Sequence, residues 1–221
     1  MSVRMVNDQG QGRTFVFLQE VGQYHDFAAQ SATLLGARVR TLTIECQTIT
    51  PSNWLELASQ VLALLQEQKV RQCAFIGFGA AAALVQHLVL TVPKLIRSIT
   101  LVDATFRPHP TSFQRIVDWF ERILPLGLPL RLKNTDFDAK PFAQRIRCPA
   151  LIVLSEVASP FLRDQAYAIA QRIPSAWVVS LGGGSGDVDE FCALLSDFET
   201  VPVKCPQKNR GEVAQVLSQV S

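Results

Sequence analysis

An α/β architecture is what three observations predict for this 221-residue chain: a mostly parallel sheet of about six or more strands, with helices on both faces. Short apolar runs alternate with longer segments of helical periodicity, the βαβα order of a layered α/β domain. The short runs are continuous in apolar character rather than alternating, as strands covered on both faces should be. Hydrophobic residues make up 48% of the chain and mean hydropathy is +0.18, so a large core is buried. The length suits one domain, expected over residues 1–199 with a tail at 200–221.

The N-terminal stretch Met1 to Gly12 is polar and has no apolar leader segment, so no secretory signal is expected. The run Thr14-Phe15-Val16-Phe17-Leu18 opens the first strand, near 13–18, and His25-Asp26-Phe27 opens a helix near 26–35. A second strand is expected near 38–44. Thr50 followed by Pro51 reads as an N-cap with proline at the first helical position, so the next helix is expected over 51–68. Trp54, Leu57, Ala58, Val61, Leu62 and Leu65 recur there at helical spacing and form one buried stripe. Cys73 to Ile76 make the strand near 72–77, which turns through small residues into an Ala-rich helix near 80–91 carrying Leu84, Val85 and Leu88. Strands near 97–103, 149–155 and 176–181 and helices near 112–124, 160–173 and 187–199 complete the pattern. Thr111 with Gln114 reads as a capping box, and Ser159-Pro160 repeats the cap-and-proline device. Residues 106–146 leave room for a short helical flap rather than a cap domain, with the apolar stretch Leu124-Pro125-Leu126-Gly127-Leu128-Pro129-Leu130 inside it.

Composition narrows the function classes. The net charge of +2 comes from scattered basic residues with no run suited to nucleic acid. No apolar run approaches the length of a membrane span, although a peripheral membrane contact stays open. The five cysteines, at 46, 73, 148, 192 and 205, contain no C-x-x-C pair. Cys73 and Cys148 are placed in core strands as small apolar groups. An odd number without a leader points to the reduced cytoplasm. No His/Cys/Asp/Glu spacing suggests a metal, and no cofactor is expected. Gly182-Gly183-Gly184 precedes no Lys-Ser/Thr pair and is a weak phosphate-loop signal.

The most informative stretch is Ala74-Phe75-Ile76-Gly77-Phe78-Gly79-Ala80-Ala81-Ala82. A strand, a sharp turn of small residues and a helix in that order resemble the nucleophile elbow G-x-S-x-G of the α/β-hydrolases. Gly77 and Ala81 occupy its small positions, and Gly79 stands where the serine would be. Weaker likenesses follow along the chain. Phe17-Leu18-Gln19-Glu20-Val21-Gly22 resembles the family's F-L-H-G-x-G loop, whose backbone gives an oxyanion-hole N–H, with Gln19-Glu20 in place of His-Gly. Arg97 to Ala104 and Ile146 to Leu154 resemble later core strands. After the second of these the family places its acid, where this chain reads Ser155-Glu156-Val157-Ala158-Ser159-Pro160. Val179-Ser180-Leu181-Gly182-Gly183-Gly184-Ser185 resembles "V-I-P-G-A-G-H", with Ser185 at the histidine. The resemblance implies the α/β-hydrolase fold and a degenerate member of it, with Gly79, Ser159 and Ser185 at the triad positions and no catalytic residue assigned.

Several residues have two readings. Ser185 is a polar loop residue or an unconventional nucleophile, and Ser159 is the helix cap or a nucleophile. Asp103 is a structural strand-end carboxylate or an acid. His25 packs its loop or approaches the old site; His109, between prolines, is expected in solvent. His87 lies about 12 Å along its helix from Gly79 by helical rise, too far to serve the elbow. A vestigial pocket for a small apolar ligand is expected from Gln19, Glu20, Val21, Phe78, Gly79, Ala80 and Ser185. A protein-partner surface is expected on the flap, from Phe113, Trp119, Phe120, Leu126, Leu128 and Leu130. The function these readings favour is a non-catalytic binding, assembly or regulatory module. The alternative is an esterase-like hydrolase or a lyase using residues such as Ser185.

Overall fold

The computed structural model describes residues 2–22, 24–50, 52–107, 138–182 and 187–200. Its strands are β1 (Val3–Gln9), β2 (Thr14–Glu20), β3 (Arg40–Cys46), β4 (Cys73–Phe78), β5 (Ile96–Val102), β6 (Ala150–Leu154) and β7 (Ala176–Ser180). They form one seven-stranded sheet in the order β1-β3-β2-β4-β5-β6-β7. Every neighbouring pair is parallel except β1 with β3. The helices are α1 (His25–Gly36), α2 (Trp54–Glu67), α3 (Ala80–Thr91), α4 (Pro160–Arg172) and α5 (Asp187–Thr200), with a 3-10 turn at Ala143–Arg145.

Alternate residues of each strand feed two cores. Val16 and Leu18 of β2, Phe75 of β4 and Leu101 of β5 point into the layer with α2, α3 and α4. Phe15, Phe17, Ile76 and Phe78 point the other way, into the layer with α1 and α5. All positions of β2 and β4 are buried, which is why Phe15–Leu18 and Cys73–Phe78 read as continuous apolar runs, while Thr14, Gln19 and Glu20 of β2 are buried polar residues. Leu57, Ala58, Val61 and Leu65 of α2 are buried, with Trp54 and Leu62 packed beside them, as the helical stripe required. No helix among the described residues is long and apolar enough to cross a membrane.

Three expectations are corrected. Residues 3–9, read as a polar lead-in, form the edge strand β1; only Val3 in it is buried, so there is no apolar run to reveal it. Met5 pairs with Ile44 and Asn7 with Thr43, leaving Val6 as an extra, bulged residue. Helix α2 starts at Trp54 rather than at 51, because the Thr50 N–H donates to Asn53 Oδ1 (2.7 Å) and a turn precedes the helix. Cys148 lies before β6 and is only partly buried, whereas Cys73 does sit in a core strand. The helix near 112–124, the capping box at Thr111 and Gln114, His109 and the tail beyond 200 lie outside the described residues.

Gly77 fixes how closely α3 approaches β4. A Cβ built on it would lie 2.8 Å from both Ala82 Cα and Val85 Cγ2, and the Ala82 backbone cannot yield without moving the helix. Ala81, next in the helix, is fully buried. Gly77→Ala should therefore destabilise the protein by about 1–3 kcal/mol, the range for overpacking. Urea unfolding followed by circular dichroism measures this, and an unchanged midpoint would refute the close-approach account.

Candidate functional site

β4 is the central strand, so the turn after it stands at the middle of the sheet's carboxyl edge. The turn is a single residue: β4 ends at Phe78, α3 begins at Ala80, and Gly79 between them has φ 53° and ψ −121°. That is a backbone conformation glycine enters without steric penalty and other residues enter under strain. The Gly79 N–H donates to Val102 O (2.9 Å) and its carbonyl accepts from Ala82 N (3.2 Å), so the apex is pinned to β5 and to its own helix.

The loop after β2 lies along the same edge. Its first amide, that of Val21, donates to Cys46 O (2.9 Å), which commits it to the sheet and not to a ligand above Gly79. Val21 is 56% exposed. Glu20 is buried, and its Oε1 accepts from Ile49 N (2.6 Å). Gln19 is buried on the opposite face and donates from Nε2 to Glu45 Oε1 (3.0 Å). Of the expected pocket residues, Gln19, Glu20 and Phe78 are thus turned into the body of the protein. Gly79 and Ala80 stand at the apex, and Ser185 lies outside the described residues.

Tyr24 and Asp103 close the edge. Both hold positive φ, 54° and 48°. The Tyr24 ring stacks on Phe78 with centroids 5.4 Å apart, and its hydroxyl donates to Asp103 Oδ2 (2.9 Å). Burial, with the Asp103 carboxylate beside it, pushes the Tyr24 phenol well above its ordinary pKa. Asp103 Oδ1 accepts from Ser155 N (3.0 Å), and its own N–H donates to Val153 O (2.9 Å). One carboxylate therefore ties the β2–α1 loop to the ends of β5 and β6, which is a structural duty.

Other candidates are engaged with partners of their own. Ser159 caps α4, its Oγ accepting from Leu162 N (3.3 Å) with Pro160 in the first turn. His25 Nδ1 lies 2.6 Å from Glu45 Oε1, and that buried carboxylate also accepts from Arg4 Nε (3.0 Å) and Nη2 (2.7 Å) on Oε2. His25 thus serves a cluster on β3. His87 packs edge-on against Trp54 at 4.7 Å, and burial lowers its pKa. The partner surface proposed on Phe113, Trp119, Phe120, Leu126, Leu128 and Leu130 lies outside the described residues. No group of three or more metal-ligating side chains is assembled among the described residues. The Tyr24–Asp103 tether is what sequence reasoning missed: Asp103 stands out at its strand end, but its partner lies 79 residues away and outside any motif.

No family model matches the sequence, and no curated protein does. Solved structures match in architecture. An enol-lactonase from Burkholderia xenovorans LB400 is 19% identical, with a TM-score of 0.66 over 90% of this chain and 96% of that one. The esterase EaEST from Exiguobacterium antarcticum is 14% identical, with a TM-score of 0.65 over 90% of this chain and 96% of that one. MGS-M2, an α/β hydrolase from a Medee basin deep-sea metagenome library, is 13% identical, with a TM-score of 0.68 over 93% and 97%. The chain has the α/β-hydrolase fold.

Two expected outcomes follow from this edge. Tyr24→Phe should lower stability by about 1–3 kcal/mol by leaving the buried Asp103 oxygen without its donor; an unchanged denaturant midpoint would refute the tether. For Glu45, burial raises the carboxyl's pKa, but hydrogen bonds from Arg4, His25 and Gln19 together outweigh it and hold the group below its ordinary 4.5. A lowered folded pKa gives stability that is present above the unfolded value and lost as pH falls through the folded one. Stability should therefore fall more steeply below about pH 4.5 in the parent than in Glu45→Gln, and parallel profiles would refute the coupling.

Proposed function

We propose that this chain is a degenerate α/β-hydrolase relative that acts without catalysis, as a protein-binding, assembly or regulatory module in the cytoplasm. The observation that carries the reading is the apex of the elbow. Its backbone keeps the strained geometry that would raise a nucleophile above the sheet, while the residue in it, Gly79, has no side chain to raise. Replacing a strained serine by glycine removes a cost of about 1–3 kcal/mol that only a working nucleophile would justify. Two further observations lend support. The Val21 N–H is taken by Cys46 O, which removes a donor from the loop that completes an oxyanion hole in the family. Ser159, at the family's acid position, is occupied in capping α4.

The flap residues Phe113, Trp119, Phe120, Leu126, Leu128 and Leu130 are the proposed partner surface, on the strength of their apolar content between arginines. Residues 1–199 are proposed as one domain, and a small apolar ligand in the old cleft is the lesser version of the same reading.

The test uses the purified full chain with a fluorophosphonate probe and a panel of short-chain p-nitrophenyl esters. No labelling and no turnover above buffer are expected. Gly79→Ser should stay inactive and lose about 1–3 kcal/mol of stability from its positive φ. Robust turnover that disappears in Ser185→Ala would overturn the proposal in favour of an esterase-like enzyme.

A further inference from the structure

Opposite the elbow, the amino edge of the sheet carries an open groove of about 670 Å³ whose lining includes Arg13, Arg40, Lys69, Arg71 and Arg97. These cations come from separate parts of the chain. Arg13 lies in the turn between β1 and β2, Arg40 opens β3, Lys69 and Arg71 lie between α2 and β4, and Arg97 lies in β5. Parallel strands starting side by side bring them together, although no run of basic residues exists in the sequence.

Two of the charges are matched. Arg40 grips Asp8 through Nε (3.0 Å) and Nη2 (2.8 Å), and Arg97 Nε donates to Glu199 Oε2 (2.8 Å). Among the described residues no carboxylate pairs with Arg13, Lys69 or Arg71, and all three are exposed. The groove therefore holds an unneutralised charge of about +3, counted from those three side chains.

Lys69 adds an independent observation. It sits just past the end of α2 at φ 55°, with its N–H on Gln66 O (3.0 Å) and the Val70 N–H on Leu65 O (3.0 Å). That left-handed helix-end position is glycine's by preference, and a lysine there is strained. Gly12, also in the lining, is exposed at φ 97°, and no heavy atom beyond its chain neighbours lies within 4 Å of where a Cβ would be. The other lining residues, Gln11, Thr14, Val70 and Gln72 among them, include no aromatic ring, which leaves nothing to stack on a base.

We propose that this groove binds a small oligophosphate, two or three linked phosphate groups, free or as the tail of a nucleotide. Three unmatched cations complement the charge of such a group, and arginine forks fit phosphate oxygens in pairs. The missing aromatics and confined charge count against a nucleic-acid strand. The site stands at the other edge of the sheet from the elbow and is independent of whether the elbow is inactive.

The test is calorimetric titration of the full chain with sodium tripolyphosphate, ATP and orthophosphate at about 50 mM and about 200 mM salt. Cosedimentation with phosphatidylserine vesicles is run alongside. Saturable tripolyphosphate binding that weakens with salt is expected, with about tenfold loss in each of Arg13→Ala and Arg71→Ala, the loss of one charge-assisted contact. ATP binding as tightly as tripolyphosphate assigns the nucleotide tail, and tripolyphosphate alone assigns the free anion. Lys69→Gly should weaken binding while raising Tm by about 2–4 °C, through relief of the backbone. Absence of tripolyphosphate binding, affinity unchanged in both arginine variants, or vesicle binding without oligophosphate binding would overturn the proposal.

Discussion

The reversal from β4 into α3 is the constraint on which the rest of this structure depends. It takes one residue, and it works because Gly77 lets the helix lie against the strand and Gly79 supplies the left-handed step. α3 rests on β2, β4 and β5 together, so its height above the sheet sets how the central strands are covered. The carboxyl rim is then built on the same point: Phe78 carries the Tyr24 ring, and Asp103 holds the phenol in place. The geometry that presents a reacting atom in a nucleophile elbow holds Gly79 in this chain.

How much of this was legible follows from where each residue sits. β2 and β4 were readable because Phe15–Leu18 and Cys73–Phe78 are short continuous apolar runs, buried on both faces of the sheet. The elbow was readable because three small positions fall at fixed spacing; Gly77 has the close contact that spacing demands, and Ala81 is fully buried. β1 was not, since an edge strand with a single buried residue leaves no hydrophobic trace. The start of α2 was misplaced because Asn53 Oδ1, rather than Thr50, decides the turn before it. The rim tether joins residues 79 apart, and its hydrogen bond has no local signature. The basic groove was invisible for the same reason: its charges are dispersed along the chain and gathered only by strand order.

The two edges of the sheet contrast in chemistry. At the carboxyl edge three polar groups are answered internally: Glu20 by the Ile49 amide, Asp103 by Tyr24 and Ser155, and the Val21 amide by Cys46. At the amino edge several charges are left facing outward. A fold whose relatives in architecture include an esterase and a lactonase can thus satisfy one end and leave the other wanting a counter-ion. Function follows the site and not the fold.

The bulge in β1 has a consequence for molecules meeting in a crowded solution. A sheet that stops at a straight, bare strand invites a neighbour to continue it, copy upon copy. Here Val6 breaks the even spacing of the outermost ladder, and Arg4 and Asp8 place charge on either side of it. The strand terminates the sheet where it could have served as a template for fibrous growth.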